Sequence, residues 1–117
     1  GGLTMGADPI AYAIAAASPA DKPVEAFSVR KEAKLHGTGR RIEGNFTAGT
    51  KVVVVEDVIT SGGSALSAIR AVRDEGGEVL GLLALVDRDA GGTARIEAAG
   101  ITVRALVTAD DLGIAPQ

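Results

Sequence analysis

The run of four valines from Val52 to Val55 constrains this chain more than any other stretch. It is apolar, β-branched and free of polar alternation, which is typical of a strand buried on both faces of a parallel sheet. Two carboxylates, Glu56 and Asp57, follow where that strand is expected to emerge. A small, hydroxyl-rich turn at 60–64 leads into a helical pattern at 65–75. The stretch therefore predicts a strand–turn–helix unit.

The turn at 60–64 is suited to an anion. In open α/β sheets, ligands bind outside the carboxyl ends of the strands. A turn rich in Gly, Ser and Thr at a helix N-terminus offers N–H groups, hydroxyls and the positive end of the helix dipole to a phosphate. Carboxylates repel phosphate, but they accept hydrogen bonds from vicinal hydroxyls. The acid pair and the turn together predict a ribose 5-phosphate site; the plainer alternative is a turn that merely caps the helix.

Composition excludes several other classes of function. The 117 residues are enough for one domain, and 46% of them are hydrophobic. Aromatic residues make up only 3%, and the net charge is −3, which argues against a nucleic-acid-binding surface. The absence of cysteine excludes disulfides, thiolate zinc sites and cysteine nucleophiles. No apolar run approaches membrane-spanning length, so we expect a soluble protein of the cytoplasm.

The order of predicted elements indicates an α/β fold. Strands are predicted at 24–29, 42–46, 52–55, 79–86 and 101–107, and helices at 10–17, 65–75 and 93–99. Asp8 and Pro9 are expected as the N-cap and first-turn proline of the first helix. Alternation with short connections predicts a mainly parallel sheet flanked by helices.

The first nine residues look like a loop, although a glycine-rich loop before such a helix usually leaves a strand. We therefore expect a chain that begins partway through a longer domain, with a gap or open edge in the sheet beside Gly1. The alternative is an ordinary flexible N-terminus.

A basic segment lies between the second and third predicted strand regions. It runs from Arg30 to Arg41, holds the only histidine, and contains glycines that permit movement. Several cations on one segment suit an anion more highly charged than a single phosphate, such as pyrophosphate. The alternative is a solvated charge run on a surface loop.

Together these segments resemble the type I phosphoribosyltransferases, which use phosphoribosyl pyrophosphate (PRPP), and within them the orotate phosphoribosyltransferases. The resemblance is strongest at 27–37 and 52–64, and weaker at 2–11 and 85–92. It implies one phosphoribosyltransferase core domain over 1–117, with a mobile basic loop at about 30–44 and without the family's N-terminal hood. It also implies an enzyme of pyrimidine biosynthesis that converts orotate and PRPP to orotidine 5′-monophosphate and pyrophosphate.

The resemblance also implies roles for individual residues. The basic loop would bind pyrophosphate through Arg30, Lys31, Lys34 and His36. The ribose hydroxyls would be held by Glu56 and Asp57, and the 5′-phosphate by the segment that follows them, comprising Val58, Ile59, Thr60, Ser61, Gly62, Gly63 and Ser64. Thr60 and Arg88 match positions that contact orotate. The catalytic residues would be Lys34, His36 and Asp57.

The resemblance further implies a homodimer in which the basic loop closes over the neighbouring subunit's site. We expect no metal site made by protein alone, because Mg²⁺ would be carried mainly by PRPP and pyrophosphate. Three alternatives stay open: a phosphoribosyltransferase for a purine or uracil, a non-catalytic module that binds PRPP or a nucleotide, and an inactive fragment of this fold.

Overall fold

The computed structural model describes residues 1–32 and 40–114, and within them it contains six strands and three helices. The strands are β1 (Gly2–Leu3), β2 (Phe27–Val29), β3 (Ile42–Gly44), β4 (Lys51–Ile59), β5 (Glu78–Asp87) and β6 (Val103–Thr108). The helices are α1 (Asp8–Ala17), α2 (Gly63–Asp74) and α3 (Gly92–Ala98). Their order along the chain is β1-α1-β2-β3-β4-α2-β5-α3-β6. The predicted α/β class, with helices flanking a mainly parallel sheet, is confirmed.

The strands form two hydrogen-bonded ladders that meet at Gly1. Strands β4, β5 and β6 are parallel neighbours, while β1 pairs parallel with β2, and β2 pairs antiparallel with β3. The Gly1 amino group donates to the Val53 carbonyl at 3.3 Å, and the Val55 amide donates to the Gly1 carbonyl at 2.8 Å. The spatial order is therefore β3-β2-β1-β4-β5-β6.

The core lies on both faces of β4, because successive side chains of a strand point to opposite faces. On one face Val54 packs with Val72 of α2 and Leu82 of β5, all buried. On the other face Val55 packs against Ala7 and Ala11 at the start of α1. The sheet thus holds α2 and α1 on opposite sides, and both helices begin beyond the carboxyl ends of β1 and β4.

Strand β4 differs from its prediction in two respects. It continues through Glu56 and Asp57 to Ile59, so the two acids lie inside the strand and not after it. Val53 is 45% exposed, so the strand is not buried on both faces along its whole length. The reason is a groove of about 530 Å³ beside Gly1, whose apolar walls include Val53, Leu80 and Ile14. The predicted gap in the sheet beside Gly1 is not seen among the described residues, because Gly1 itself is hydrogen-bonded to Val53 and Val55 of β4.

The start of the chain also corrects two expectations. Residues Gly2 and Leu3, read as loop, form the short strand β1. Asp8 is the first residue of α1 and not its N-cap, which is Ala7. The Asp8 carboxylate instead accepts a hydrogen bond from the Thr4 hydroxyl, and this contact fixes the loop between β1 and α1. The Thr4–Met5 peptide bond in that loop is cis.

Candidate functional site

The two acids of β4 face different parts of the molecule. Glu56 is only 5% exposed and forms part of the wall of the turn that follows the strand. Asp57 is half-buried and points to the other face, where its carboxylate lies against the backbone of Gly6. Its Oδ1 atom also accepts a hydrogen bond from the Val58 amide at 2.8 Å. The pair therefore presents one carboxylate to the turn and one to the loop that precedes α1.

Burial of Glu56 has an electrostatic consequence. Desolvation raises the pKa of this carboxyl from 4.5 to about 7, and the neighbouring Asp57 adds to the shift by hydrogen bonding and by charge. Near neutral pH, this raised pKa leaves the Glu56 carboxyl partly protonated. A group that can both donate and accept a hydrogen bond is well matched to sugar hydroxyls.

The turn Thr60–Ser64 forms a small cavity at the N-terminus of α2. The cavity has a volume of about 40 Å³ and is lined by Glu56 and all residues of the turn. Gly62 caps the helix with φ 88° and ψ 1°, a left-handed conformation that favours glycine. Among the residues that the structure describes, no side chain caps this helix end, so its first N–H groups have no side-chain acceptor there. Such an arrangement binds anions of about phosphate size.

Helix α3 supports the turn from behind, a feature that sequence reasoning missed. The backbone of Gly92 lies against the turn so closely that a Cβ atom there would be 2.4 Å from the Thr60 carbonyl oxygen. The Arg95 guanidinium donates a hydrogen bond to the Ser61 carbonyl at 3.2 Å. The Gly91-Gly92 pair was a possible sequence signal of this close packing, but the neighbouring residues do not indicate which segment packs against it.

Arg88 lies beside the turn because its amide donates to the Ile59 carbonyl at 2.9 Å. Its Nε atom is buried and has no hydrogen-bond partner among the described residues. The preceding Asp87 makes other contacts. Its carboxylate accepts hydrogen bonds from the Thr93 hydroxyl at 2.6 Å and from the Asp89 amide at 2.9 Å. The residue that follows β5 is thus an arginine whose buried Nε atom has no partner in the described part of the chain, next to Thr60.

The basic segment is described only at its two ends. Arg30 and Lys31 are exposed and directly follow β2. Arg30 forms an exposed ion pair with Glu43 at 3.2 Å, which contributes little to stability. Lys34 and His36, both proposed from the sequence to bind pyrophosphate, lie outside the described residues.

The described residues hold no group of three or more His, Cys, Asp or Glu side chains arranged to bind a metal ion. Asp57, half-buried at the end of β4, is a carboxylate of the kind Mg²⁺ prefers, but one such ligand fits an ion held mainly by a substrate. In the same part of the chain, no helix is long and apolar enough to cross a membrane.

Comparison with protein families gives one match that covers most of the chain. The family described as "Phosphoribosyl transferase domain" matches residues 2–109. Among curated proteins, the orotate phosphoribosyltransferase of Mycobacterium avium is 52% identical over 114 residues. That of Aquifex aeolicus is 52% identical over 113 residues.

Solved structures give the same picture. The crystal structure of Mycobacterium tuberculosis H37Rv orotate phosphoribosyltransferase in complex with PRPP matches 96% of this chain and 63% of its own, with 48% identity and a TM-score of 0.85. The matches to the curated proteins cover 97% and 96% of this chain. This chain spans 63% of the length of the Mycobacterium avium relative and 62% of the Aquifex aeolicus relative.

Proposed function

The chain belongs to the phosphoribosyl transferase family, and from that premise we propose that it transfers the 5-phosphoribosyl group of PRPP to orotate, yielding orotidine 5′-monophosphate and pyrophosphate. The observation that carries the proposal is the cavity formed by the turn Thr60–Ser64 next to Glu56. An uncapped helix end and two carboxylates are placed within one strand–turn–helix unit, as a sugar phosphate requires. Curated relatives named orotate phosphoribosyltransferase support orotate as the base.

Binding of the ribose 5-phosphate is assigned to β4 and the turn. The 5′-phosphate would accept hydrogen bonds from the free N–H groups and hydroxyls of Thr60–Ser64. The ribose hydroxyls would donate to Glu56, which faces the turn, and to Asp57, which faces the loop before α1. Val58 and Ile59 connect the two acids to the turn, and their backbone would form part of this site.

Binding of pyrophosphate is assigned to the basic segment. Arg30, Lys31, Lys34 and His36 would surround the leaving group with positive charge. Mg²⁺, carried by PRPP and pyrophosphate, would neutralise part of the phosphate charge, with Asp57 beside the ribose as the carboxylate in reach. The loop between β1 and α1 would complete this side of the site, because Gly6 lies against Asp57.

Orotate is assigned to Thr60 and Arg88. Both lie at the carboxyl ends of β4 and β5, and the Arg88 amide is hydrogen-bonded to Ile59, the residue before Thr60. The buried Arg88 Nε atom without a described partner supports a role in binding a carboxylate, which guanidinium groups bind strongly.

Transfer by this site would proceed without a covalent nucleophile. Breaking the bond between ribose C1 and pyrophosphate leaves positive charge on the sugar, and attack by the orotate nitrogen from the opposite side inverts the configuration at C1. Positioning of both substrates and electrostatic stabilisation of the leaving group would provide the rate acceleration. Lys34 and His36 would stabilise or protonate the departing oxygens, and exclusion of water would prevent hydrolysis of PRPP.

The proposal includes a homodimer in which the basic segment of one subunit serves the site of the other. It also places the protein in the cytoplasm, because a highly charged sugar pyrophosphate does not cross membranes unaided. Mixing Lys34→Ala subunits with Asp57→Asn subunits tests the sharing: each homodimer is expected to be impaired, and heterodimers to regain activity. Verified heterodimers without any regained activity would contradict a shared site.

A PRPP-binding module or fragment without catalysis is the second candidate, favoured by the 63% span relative to the Mycobacterium avium protein. The decisive experiment is a spectrophotometric assay of orotate loss with PRPP and Mg²⁺, together with calorimetry of PRPP binding. Turnover supports the transferase. PRPP binding without turnover supports the module, and no binding contradicts both.

Asp57→Asn provides the matched variant for this experiment. It is expected to weaken PRPP binding about tenfold, because the charge that accepts from the ribose hydroxyls is lost. Folding should change little, since Asp57 is not a core residue. If Asp57→Asn bound PRPP as the wild type does, Asp57 would not be part of the binding site.

A further inference from the structure

Arg41 joins the two ends of the basic segment to each other. Its Nε atom donates to the Arg30 carbonyl at 3.0 Å, and its Nη2 atom donates to the Lys31 carbonyl at 3.1 Å. In the reverse direction, the Arg30 amide donates to the Arg41 carbonyl at 2.7 Å. The residue that ends the segment therefore holds the backbone of the two residues that begin it.

The same arginine is also attached to helix α2. Its Nη2 atom donates to the Ser67 hydroxyl at 3.0 Å. Ser67 lies three residues after Ser64, and residues at this spacing share one face of a helix. The basic segment is therefore attached to the face of α2 that carries Ser64 of the phosphate-binding turn.

Glu75 provides a second attachment at the other end of α2. Its Oε2 atom accepts from the Arg41 amide at 3.0 Å and from the Ile42 amide at 3.2 Å. The bonds of Arg41 and Ile42 to Glu75, and of Arg41 to Ser67, are partly buried, so they are less exposed to competing water than the Arg30–Glu43 ion pair. The bonds of Arg41 to the Arg30 and Lys31 carbonyls are exposed.

We propose that Arg41 is a positioning residue that, together with Glu75 and Ser67, fixes the start of the basic segment relative to the phosphate-binding turn. Helix α2 acts as the rigid connection, because its N-terminus forms the turn while Ser67 and Glu75 hold Arg41. The inference rests on the proposed function, since it requires that Arg30 and Lys31 bind pyrophosphate while Thr60–Ser64 binds the 5′-phosphate. A planar guanidinium with three acceptors in fixed directions suits this role, and a lysine cannot replace it.

The test separates the two halves of the substrate. Calorimetry is performed with inorganic pyrophosphate plus Mg²⁺ and, separately, with ribose 5-phosphate. Arg41→Ala is expected to weaken pyrophosphate binding about tenfold, the loss of roughly one or two hydrogen bonds, and to leave ribose 5-phosphate binding within about twofold. Arg70→Ala is the control for charge, because Arg70 is exposed on α2 and has no hydrogen bond among the described residues. It should leave ribose 5-phosphate binding unchanged and affect pyrophosphate by less than about twofold.

Glu75 gives an independent pair of variants. Glu75→Ala removes the acceptor of both amides and should weaken pyrophosphate binding as Arg41→Ala does. Glu75→Gln keeps an oxygen that can accept them and should restore most of the affinity. Equal weakening of both ligands by Arg41→Ala, or no weakening of either, would overturn the proposal.

Amide hydrogen exchange, measured on the chain without ligand, tests this inference independently of the proposed function. Arg41→Ala should accelerate exchange at the amides of Arg30, Arg41 and Ile42, but not in the central strands β4 and β5. If the wild-type chain binds neither ligand, the proposed function fails, and exchange alone decides whether Arg41 fixes the segment. Unchanged exchange at these three amides would refute the fixation itself.

Discussion

Gly6 lies against the carboxylate of Asp57, so that a Cβ atom at residue 6 would be 2.6 Å from Asp57 Oδ2. Gly6→Ala should therefore displace the Asp57 side chain, although the backbone at Gly6 is not in the left-handed region and accommodates alanine. We expect ribose 5-phosphate binding to weaken about tenfold, the loss of a hydrogen bond to a charged group. Calorimetry measures this effect. Met5→Ala, at an exposed neighbour, is the control and should bind as the wild type does; equal binding by Gly6→Ala would show that Asp57 is not used.

Glu56 should make the stability of the fold depend on pH. Its pKa is raised from 4.5 to about 7 by burial and by Asp57, so the folded state holds the proton more tightly than the unfolded state. The contribution of Glu56 to the free energy of unfolding is therefore fully present below pH 4.5 and is lost as the pH rises through 7. This contribution amounts to about 3 kcal/mol in all. Urea unfolding at several pH values measures the slope.

Glu56→Gln should flatten that pH dependence, because the amide does not titrate. Glu97→Gln, at an exposed residue of α3, is the matched control and should retain it. An unchanged slope in Glu56→Gln would show that other groups are responsible.

Arg88→Met should separate binding from stability. Orotate binding is expected to fall tenfold or more, because a charged hydrogen bond is worth about 1.5–3 kcal/mol. The free energy of unfolding should change by less than about 0.5 kcal/mol or rise, since the buried Nε atom has no described partner to lose. Calorimetry with orotate and urea unfolding measure the two quantities; ribose 5-phosphate binding serves as the internal control. Retained orotate affinity would contradict the assignment.

Gly92→Ala should damage the phosphate-binding turn from outside it. The new methyl group would lie 2.4 Å from the Thr60 carbonyl and 2.6 Å from Ile59 Cγ2. We expect a loss of about 1–3 kcal/mol in unfolding free energy, as for overpacked cores, together with weaker binding of ribose 5-phosphate. Ala94→Ser, at an exposed residue of the same helix, should change neither. A stable variant with normal binding would show that α3 does not support the turn.

The parts of the fold that the sequence predicts well are those encoded locally. The valines of β4, the turn at 60–64 and the apolar spacing of α2 all lie within one short stretch, and their order gave the parallel α/β class. The bounds of the strands were predicted less well. The two acids proved to be part of β4, because the pairing of Glu56 with Ala84 in β5 extends the ladder beyond the valines.

Contacts between distant segments could not be predicted. The approach of Gly92 to Thr60 and the bonds of Arg41 to Ser67 depend on how helices pack on the sheet, and neither leaves a periodic pattern in the sequence. The exposure of Val53 was missed for the same reason, since a run of valines does not show what covers each face. The roles of Lys34 and His36 stay predictions, because these residues lie outside the described part of the chain.

The groove beside Gly1 has a practical consequence for handling the 117-residue polypeptide in isolation. Val53, Leu80 and Ile14 leave apolar surface open there. Exposed apolar surface of this kind promotes association of chains, and apolar contact strengthens with temperature and with sulfate or phosphate salts. Preparations should therefore stay monodisperse longest when cold, dilute and free of these salts, and a lysine at Leu80 should improve solubility without touching the substrate site.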